Sequence, residues 1–378
     1  MPDNTMKLRT SILLLFTLMA TLIKAQKSDS SFRSKRVSYL SDNKKQTTLD
    51  TVVEKAIIDF IQSPENCGIS IGIIKNDTDF FYNYGETKRN NKTLPTKNTL
   101  FEIGSITKTF CGIILAYAVS EGKIKLDDDI RKFLPGKYPN LETNKRFIQV
   151  KHLANHTSGL PRIPEDMHSQ FNFDKLDPYK SYDRKMMLSY LKTVNLSTQP
   201  GTVCEYSNYG MALLGLILEK VYDKSFEELV KEKICLPNNM NSTSINLTSA
   251  QSDIFATGYN KTGDWTPHWH IDGMVAAGGI KSSTADMLAY LHYNINEKDS
   301  AIKLAHISTF KDRSNIALAW NIIHTKAGNE LIWHNGATFG FSSFCGFIKD
   351  KKTAFVILSN SGTNVDYIGL AILKFLQK

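Results

Sequence analysis

The chain has 378 residues, 42% of them hydrophobic and 22% charged, with a formal net charge of +9 at pH 7. That length holds one large domain or two intertwined ones, and the composition excludes a disordered, repetitive or low-complexity chain. The positive charge is spread out and forms no basic stripe interleaved with aromatics, so nucleic-acid binding is not expected; anionic surfaces or substrates are the partners it would favour.

In chain order, residues 1–25 read as an export signal. Lys7 and Arg9 are basic, Ser11 to Ile23 is apolar, and Ala25 is a small residue at a plausible cleavage point before Gln26; Met6 is an alternative start. The apolar run is short of the ~20 residues that cross a bilayer. No other long apolar run follows, so the mature chain is expected to be exported, periplasmic or secreted, without a membrane span. Residues 26–46 are polar and read as a flexible lead-in.

Helical spacing of apolar residues predicts a helix over Leu49–Gln62. Gly68–Lys75 and Phe80–Tyr84 read as strands of a hairpin around Asn76–Asp79. Phe110–Val119 is a strongly apolar helix ending near Gly122. From about Asp127 to Lys233 helical patterns dominate, among them Lys185–Leu191 and Met211–Tyr222. Strands return at Ile316–Ile323, Leu331–His334, Phe341–Ile348 and Thr353–Leu358, and Asp366–Leu376 closes the chain as an amphipathic helix. The expected fold is α/β of the α+β kind: an antiparallel sheet built from both chain ends (47–104 and 255–378), flanked by helices, with a mostly helical region (105–254) inserted and a cleft at the junction. The five cysteines, Cys67, Cys111, Cys204, Cys235 and Cys345, are odd in number and widely spaced, so they imply no disulfide framework, although one bridge stays open.

Chemistry concentrates in three strings. Ser-x-x-Lys begins at Ser41, Ser105, Ser120, Ser189, Ser300 and Ser308, but only Ser105 stands directly ahead of a long apolar helix. There the free backbone N–H groups and the helix dipole favour developing negative charge. Lys108 lies one turn further on the same face, and in a desolvated cleft its pKa should fall far enough to accept the serine proton. Alone, Ser105 reads equally well as a helix cap. Tyr206 and Asn208 follow the turn Gln199-Pro200-Gly201 and precede a second apolar helix; a tyrosine there relays protons if a nearby cation lowers its pKa, and Asn208 can aim its amide into the same cleft. In His334-Asn335-Gly336 the glycine lets a substrate approach the strand closely, and the N–H of Ala337 could pair with that of Ser105 as an oxyanion hole.

With these strings in this order the chain resembles the serine beta-lactamase and DD-peptidase superfamily, in the branch that holds class C beta-lactamases, DD-carboxypeptidases, D-aminopeptidases and related esterases. Phe101-Glu102-Ile103-Gly104, His152 to Pro161, Ala276 to Ile280 with Ser282 to Asp286, and Trp333 to Phe341 extend the likeness from about residue 50 to the end. The resemblance implies a beta-lactamase/transpeptidase-like fold and a hydrolase domain over 47–378. It implies catalytic roles for Ser105 (acyl-enzyme nucleophile), Lys108 and Tyr206 (proton transfer) and His334. Asn208, Asn335, Gly336 and Ala337 would bind the substrate. His334 stands where beta-lactamases usually carry a lysine, as in peptidase and esterase members, and Asn335 replaces a threonine; both put firm binding of a substrate carboxylate in doubt. The substrate is expected to be a small molecule or peptide: a D-amino-acid peptide, a small ester, or a beta-lactam. The alternatives are a true class C-like beta-lactamase and a catalytically silent penicillin-binding-type protein. No cofactor and no metal is called for. A literal Lys261-Thr262-Gly263 sits in a turn setting, and His268 with His270 lacks the further ligands of a zinc site.

Overall fold

The computed structural model describes residues 38–377. The export segment and most of the lead-in lie outside the described residues. Helix α1 (Thr48–Ile61) opens with a capping box in which Thr47 accepts from the N–H of Asp50 and Asp50 accepts from that of Thr47. Strands β1 (Gly68–Lys75) and β2 (Thr78–Gly85) form the expected hairpin. Its turn is tighter than Asn76–Asp79: Asn76 and Asp77 take φ of 52° and 57°, the left-handed pair that a two-residue turn between twisted strands demands.

Helix α2 (Thr107–Ser120) and helix α3 (Asn208–Tyr222) run through the buried centre of the helical region. Helix α4 (Thr284–Asn296) follows, then the strands β3 (Phe310–Lys311), β4 (Asn315–Ile316), β5 (Asn321–His324), β6 (Glu330–Ala337), β7 (Ser342–Ile348) and β8 (Thr353–Ser359), and helix α5 (Asp366–Leu376). Among the described residues the sheet has eight strands in the order β2-β1-β8-β7-β6-β5-β4-β3, antiparallel throughout and drawn from both ends of the described chain. On one face Val53, Ile57 and Phe60 of α1 and Ile368 and Ile372 of α5 bury Ile69, Ile71, Ile73, Phe355 and Ile357. The opposite face packs on α4 and the helical region. Among the described residues no helix is long and apolar enough to cross a membrane.

Two expectations need correcting. Ile316–Ile323 is not one strand: Ala317–Trp320 forms a buried turn with Ala319 at φ 61°, held by Ala319 N–H to Ala154 O and Leu318 N–H to Ala305 O. Tertiary hydrogen bonds from two helices override the strand pattern there. Helix α4 stands within a stretch read as turning to strands. Its start is marked by Ser283 capping the N–H of Asp286, and Met287, Leu288, Tyr290 and Leu291 bury its inner face. All five cysteines are free, so the bridge left open does not form.

Candidate active site

Ser105 lies in a single 3-10 turn (Gly104–Ile106) that runs directly into α2. Strand β6 passes beside this turn, tied through β7 by the Ser343 hydroxyl donating to Ile103 O at 2.8 Å. The approach is close enough to require two glycines. A methyl on Gly336 would sit 2.1 Å from Ile103 O and 2.9 Å from Ser105 N; one on Gly104, at φ +49°, would sit 2.8 Å from Ala337 N. The backbone N–H groups of Ser105 and Ala337 therefore meet at one junction, and both residues line the same pocket.

Lys108 is fully buried, and its Nζ lies 2.9 Å from Ser105 Oγ and within hydrogen-bond distance of Ala277 O. No carboxylate among the described residues forms an ion pair with it. Burial, seconded by the charge of Arg162, drives its pKa well below the ordinary lysine value. Its amine can thus take a proton from Ser105 Oγ while an N–H stays on Ala277 O.

Tyr206 lies over this pair, with Lys108 Nζ and the Arg162 guanidinium each 5.0 Å from its ring centroid and the His156 ring 4.4 Å away. The condition set for Tyr206, a pKa lowered by a nearby cation, is not met. Burial outweighs the bond to Ser105 and the charge of Arg162, and the phenol is pushed up to about 12, so it keeps its proton at neutral pH. His334 is buried with its ring 6.4 Å from that of Tyr206, and burial together with the charge of Lys108 lowers its pKa to about 3. Its Nδ1 donates to the carbonyl of Asn335 at 2.6 Å, which fixes the tautomer because a carbonyl only accepts.

Ser207 caps α3, placing Asn208 in the first helical turn rather than in a loop. Asn208 donates to Tyr179 Oη at 3.2 Å, which leaves its buried Oδ1 without a partner at the wall of the pocket. Asn335 does not join the others. Alternation along β6 turns it to the far face of the sheet, where its amide donates to Asp366 at 2.8 Å. Lys261-Thr262-Gly263 and the two histidines settle elsewhere: Thr262 bonds Asn260 within a turn, while His270 donates to Asp177 and His268 stacks on Phe255.

The pocket beside Ser105 has a volume of about 500 Å³ and is mainly apolar, with Ile163, Met167, Phe173, Trp269, Met274 and Phe339 in its wall. Sequence reasoning did not single out His156, Arg162 or Tyr179. His156 and Arg162 belong to or adjoin the stretch His152–Pro161, which was read only as a likeness. The backbone carbonyl of Arg162 anchors α3 by accepting from Asn208 and Tyr209.

A family model described as Beta-lactamase matches residues 53–377. The chain belongs to the beta-lactamase family. Its similar relatives include a "Beta-lactamase" of Pseudomonas fluorescens, 28% identical over 83% of this chain and 94% of the relative, and a "Beta-lactamase" of Escherichia coli K12, 26% identical over 82% and 89%. Among solved structures, a "Beta-Lactamase/D-Alanine Carboxypeptidase" from Pseudomonas syringae superposes with a TM-score of 0.75, at 27% identity over 87% of this chain and 99% of that one. A structure described as "A class C beta-lactamase" gives 0.74 at 26% identity, over 86% and 96%. The protein is a beta-lactamase-related serine hydrolase with the fold expected of that group.

Proposed function

We propose that this beta-lactamase family member is an exported hydrolase that works through an acyl-enzyme on Ser105 and acts on amides or esters such as D-amino-acid peptides and small esters. The observation that carries the reading is the 2.9 Å contact between Ser105 Oγ and an amine whose pKa burial drives well below the ordinary lysine value. In acylation Oγ bonds the carbonyl carbon and its proton passes to Lys108. The oxyanion faces the N–H groups of Ser105 and Ala337. As the bond to the leaving group breaks, that group takes a proton through Tyr206, a phenol suited to donate, and Lys108 restores it. Water then attacks the ester on Ser105, its proton leaves by the same route, and the acid and free serine are released. Export rests on Lys7, Arg9, the apolar run Ser11–Ile23 and Ala25.

The relatives' names favour a second reading, turnover of beta-lactams. Against it, His334 supplies no cation for the carboxylate those compounds carry. A fluorophosphonate and a penicillin probe separate the readings. Ser105→Ala abolishes labelling, whereas Ser120→Ala and Ser189→Ala leave it intact. A lasting penicillin adduct marks a peptidase- or esterase-like enzyme, and rapid release marks a beta-lactamase. An adduct on another serine, or none, sinks the assignment.

A further inference from the structure

The pocket beside Ser105 carries a charge pattern that the catalytic reading does not use. Its wall contains two full cations, Arg162 and Lys175, and no aspartate or glutamate. Among the described residues neither cation has a carboxylate partner or a side-chain hydrogen bond; Arg162 only stacks over Tyr206. Two acids of the surrounding loops are occupied: Asp166 accepts from Tyr182 Oη, and Asp177 accepts from the backbone N–H and the ring of His270. Beside Arg162 lies Asn208, whose Nδ2 is committed to Tyr179 and whose buried Oδ1 still lacks a donor.

The pocket also has a side. Lys108, Tyr206 and His334 form no part of its wall. The groups that deliver a proton must touch the leaving atom, so the leaving group lies toward Tyr206 and the pocket is left for the acyl part. An acyl part that satisfies this wall offers an N–H to Asn208 Oδ1, an apolar stem to Trp269, Phe339 and Met167, and a negative charge to the guanidinium. The Arg162 fork matches a carboxylate in a way that an ammonium does not.

We propose that Arg162, seconded by Lys175, is the anion receptor of the acyl pocket, so that preferred substrates are amides or esters whose acyl part carries an amide N–H and, beyond it, a carboxylate. The assignment deepens the acyl-enzyme reading and rests on it. It also separates two positions of charge: a carboxylate on the leaving part meets a neutral His334 and gains nothing, whereas one on the acyl part meets Arg162.

The test uses two thioesters of glycine with a neutral thiol leaving group, one N-capped by succinyl and the other by its carboxamide analogue, succinamoyl. They differ only in charge at the acyl end. For the unmodified protein kcat/KM should favour the succinyl compound by about tenfold, mostly through KM, the scale of a charge-assisted hydrogen bond at a partly solvated site. Arg162→Gln should bring the ratio close to one, and Arg162→Lys should keep part of it. Raising the salt concentration on the unmodified protein should shrink the ratio, which needs no variant to fold. Fluorophosphonate labelling of Ser105 reports whether each variant retains its site. A ratio near one in the unmodified protein overturns the proposal. So does an equal loss on both thioesters in Arg162→Gln, which would place the role of Arg162 in the Ser105–Lys108 pair. Absence of any Ser105 adduct is a different failure: it removes the acyl-enzyme reading and this assignment with it.

Discussion

Lys108→Met tests whether the buried amine is the base, through stability as well as rate. In the unfolded chain a lysine titrates near ~10.4, whereas burial holds Lys108 well below that in the native state. Between the two values the unfolded chain binds one proton more than the native one, so native stability rises with pH, at about 1.4 kcal/mol per pH unit. Methionine fills much the same space without titrating, and the ionisable groups that Lys108 does not influence are shared and cancel in the comparison. The stability of the unmodified protein relative to Lys108→Met should therefore climb by about 2.7 kcal/mol over any two pH units inside that window. The variant also strands Ala277 O and Ser105 Oγ without their donor, at about 1 kcal/mol each, an offset that does not change with pH. Acylation of Ser105 should fall by roughly 10²–10⁴-fold, the range for loss of a general base. Urea unfolding of both proteins at pH 7, 8 and 9, with stopped-flow acylation at each pH, supplies the measurement. Parallel stability curves would mean that Lys108 is charged in the native protein, and the mechanism drawn from its neutral amine would fall.

Tyr206→Phe should slow acylation roughly a hundredfold while leaving the acid limb of the rate profile in place, because a phenol held at about 12 does not titrate there; an acid limb that moves would contradict the assignment. Gly336→Ala forces a methyl to within 2.1 Å of Ile103 O, so it should cost about 1–3 kcal/mol and retard Ser105 labelling; labelling at the normal rate would refute the role of the close approach. His334 binds its proton only near pH 3 in the native state but near ~6.5 when unfolded. It therefore withdraws stability as pH falls below 6.5, about 2 kcal/mol by pH 5. His334→Gln should lose much of that acid sensitivity in thermal melts at pH 5 and 7, and an unchanged difference between the two would count against the buried neutral ring.

Much of this site was legible because local sequence rules govern it. Ser105 and Lys108 share a helix face through their spacing alone, and a serine ahead of an apolar helix must sit at its N-terminus. Gly336 was read as making room for a substrate, whereas the close approach it permits is to the protein's own backbone, Ile103 O and Ser105 N. What stayed hidden depends on tertiary environment. Asn335 is adjacent to His334 in sequence, yet the period of two along β6 sends it to Asp366 on the other face. That reading applied the motif as a block, when strand alternation splits it. Arg162 carries no local signal as a cleft residue; only the packing of the loop ahead of α3 sets it on the ring of Tyr206. The turn Ala317–Trp320 was equally beyond reach, because the hydrogen bonds that bend it run to the ends of two other helices, at Ala154 and Ala305.

The electrostatics of the centre follow from burial more than from paired charges. Lys108, Tyr206 and His334 are each pushed toward the neutral form, and in each case desolvation is the leading cause. Groups biased toward their neutral forms can pass one proton between an attacking oxygen and a leaving atom without first holding a fixed charge. The full cations of the pocket, Arg162 and Lys175, stand at the wall where solvent can reach them. Moving a charge inward would cost the proton carriers their neutrality: a lysine in place of His334 would face Lys108 across a dry interior, and one of the two amines would have to yield its proton. On the proposed roles the site divides its labour by depth, with proton transfer in the buried layer and charge recognition at the rim. On that reading, an imidazole rather than an ammonium at His334 spares the buried amine of Lys108 a neighbouring positive charge.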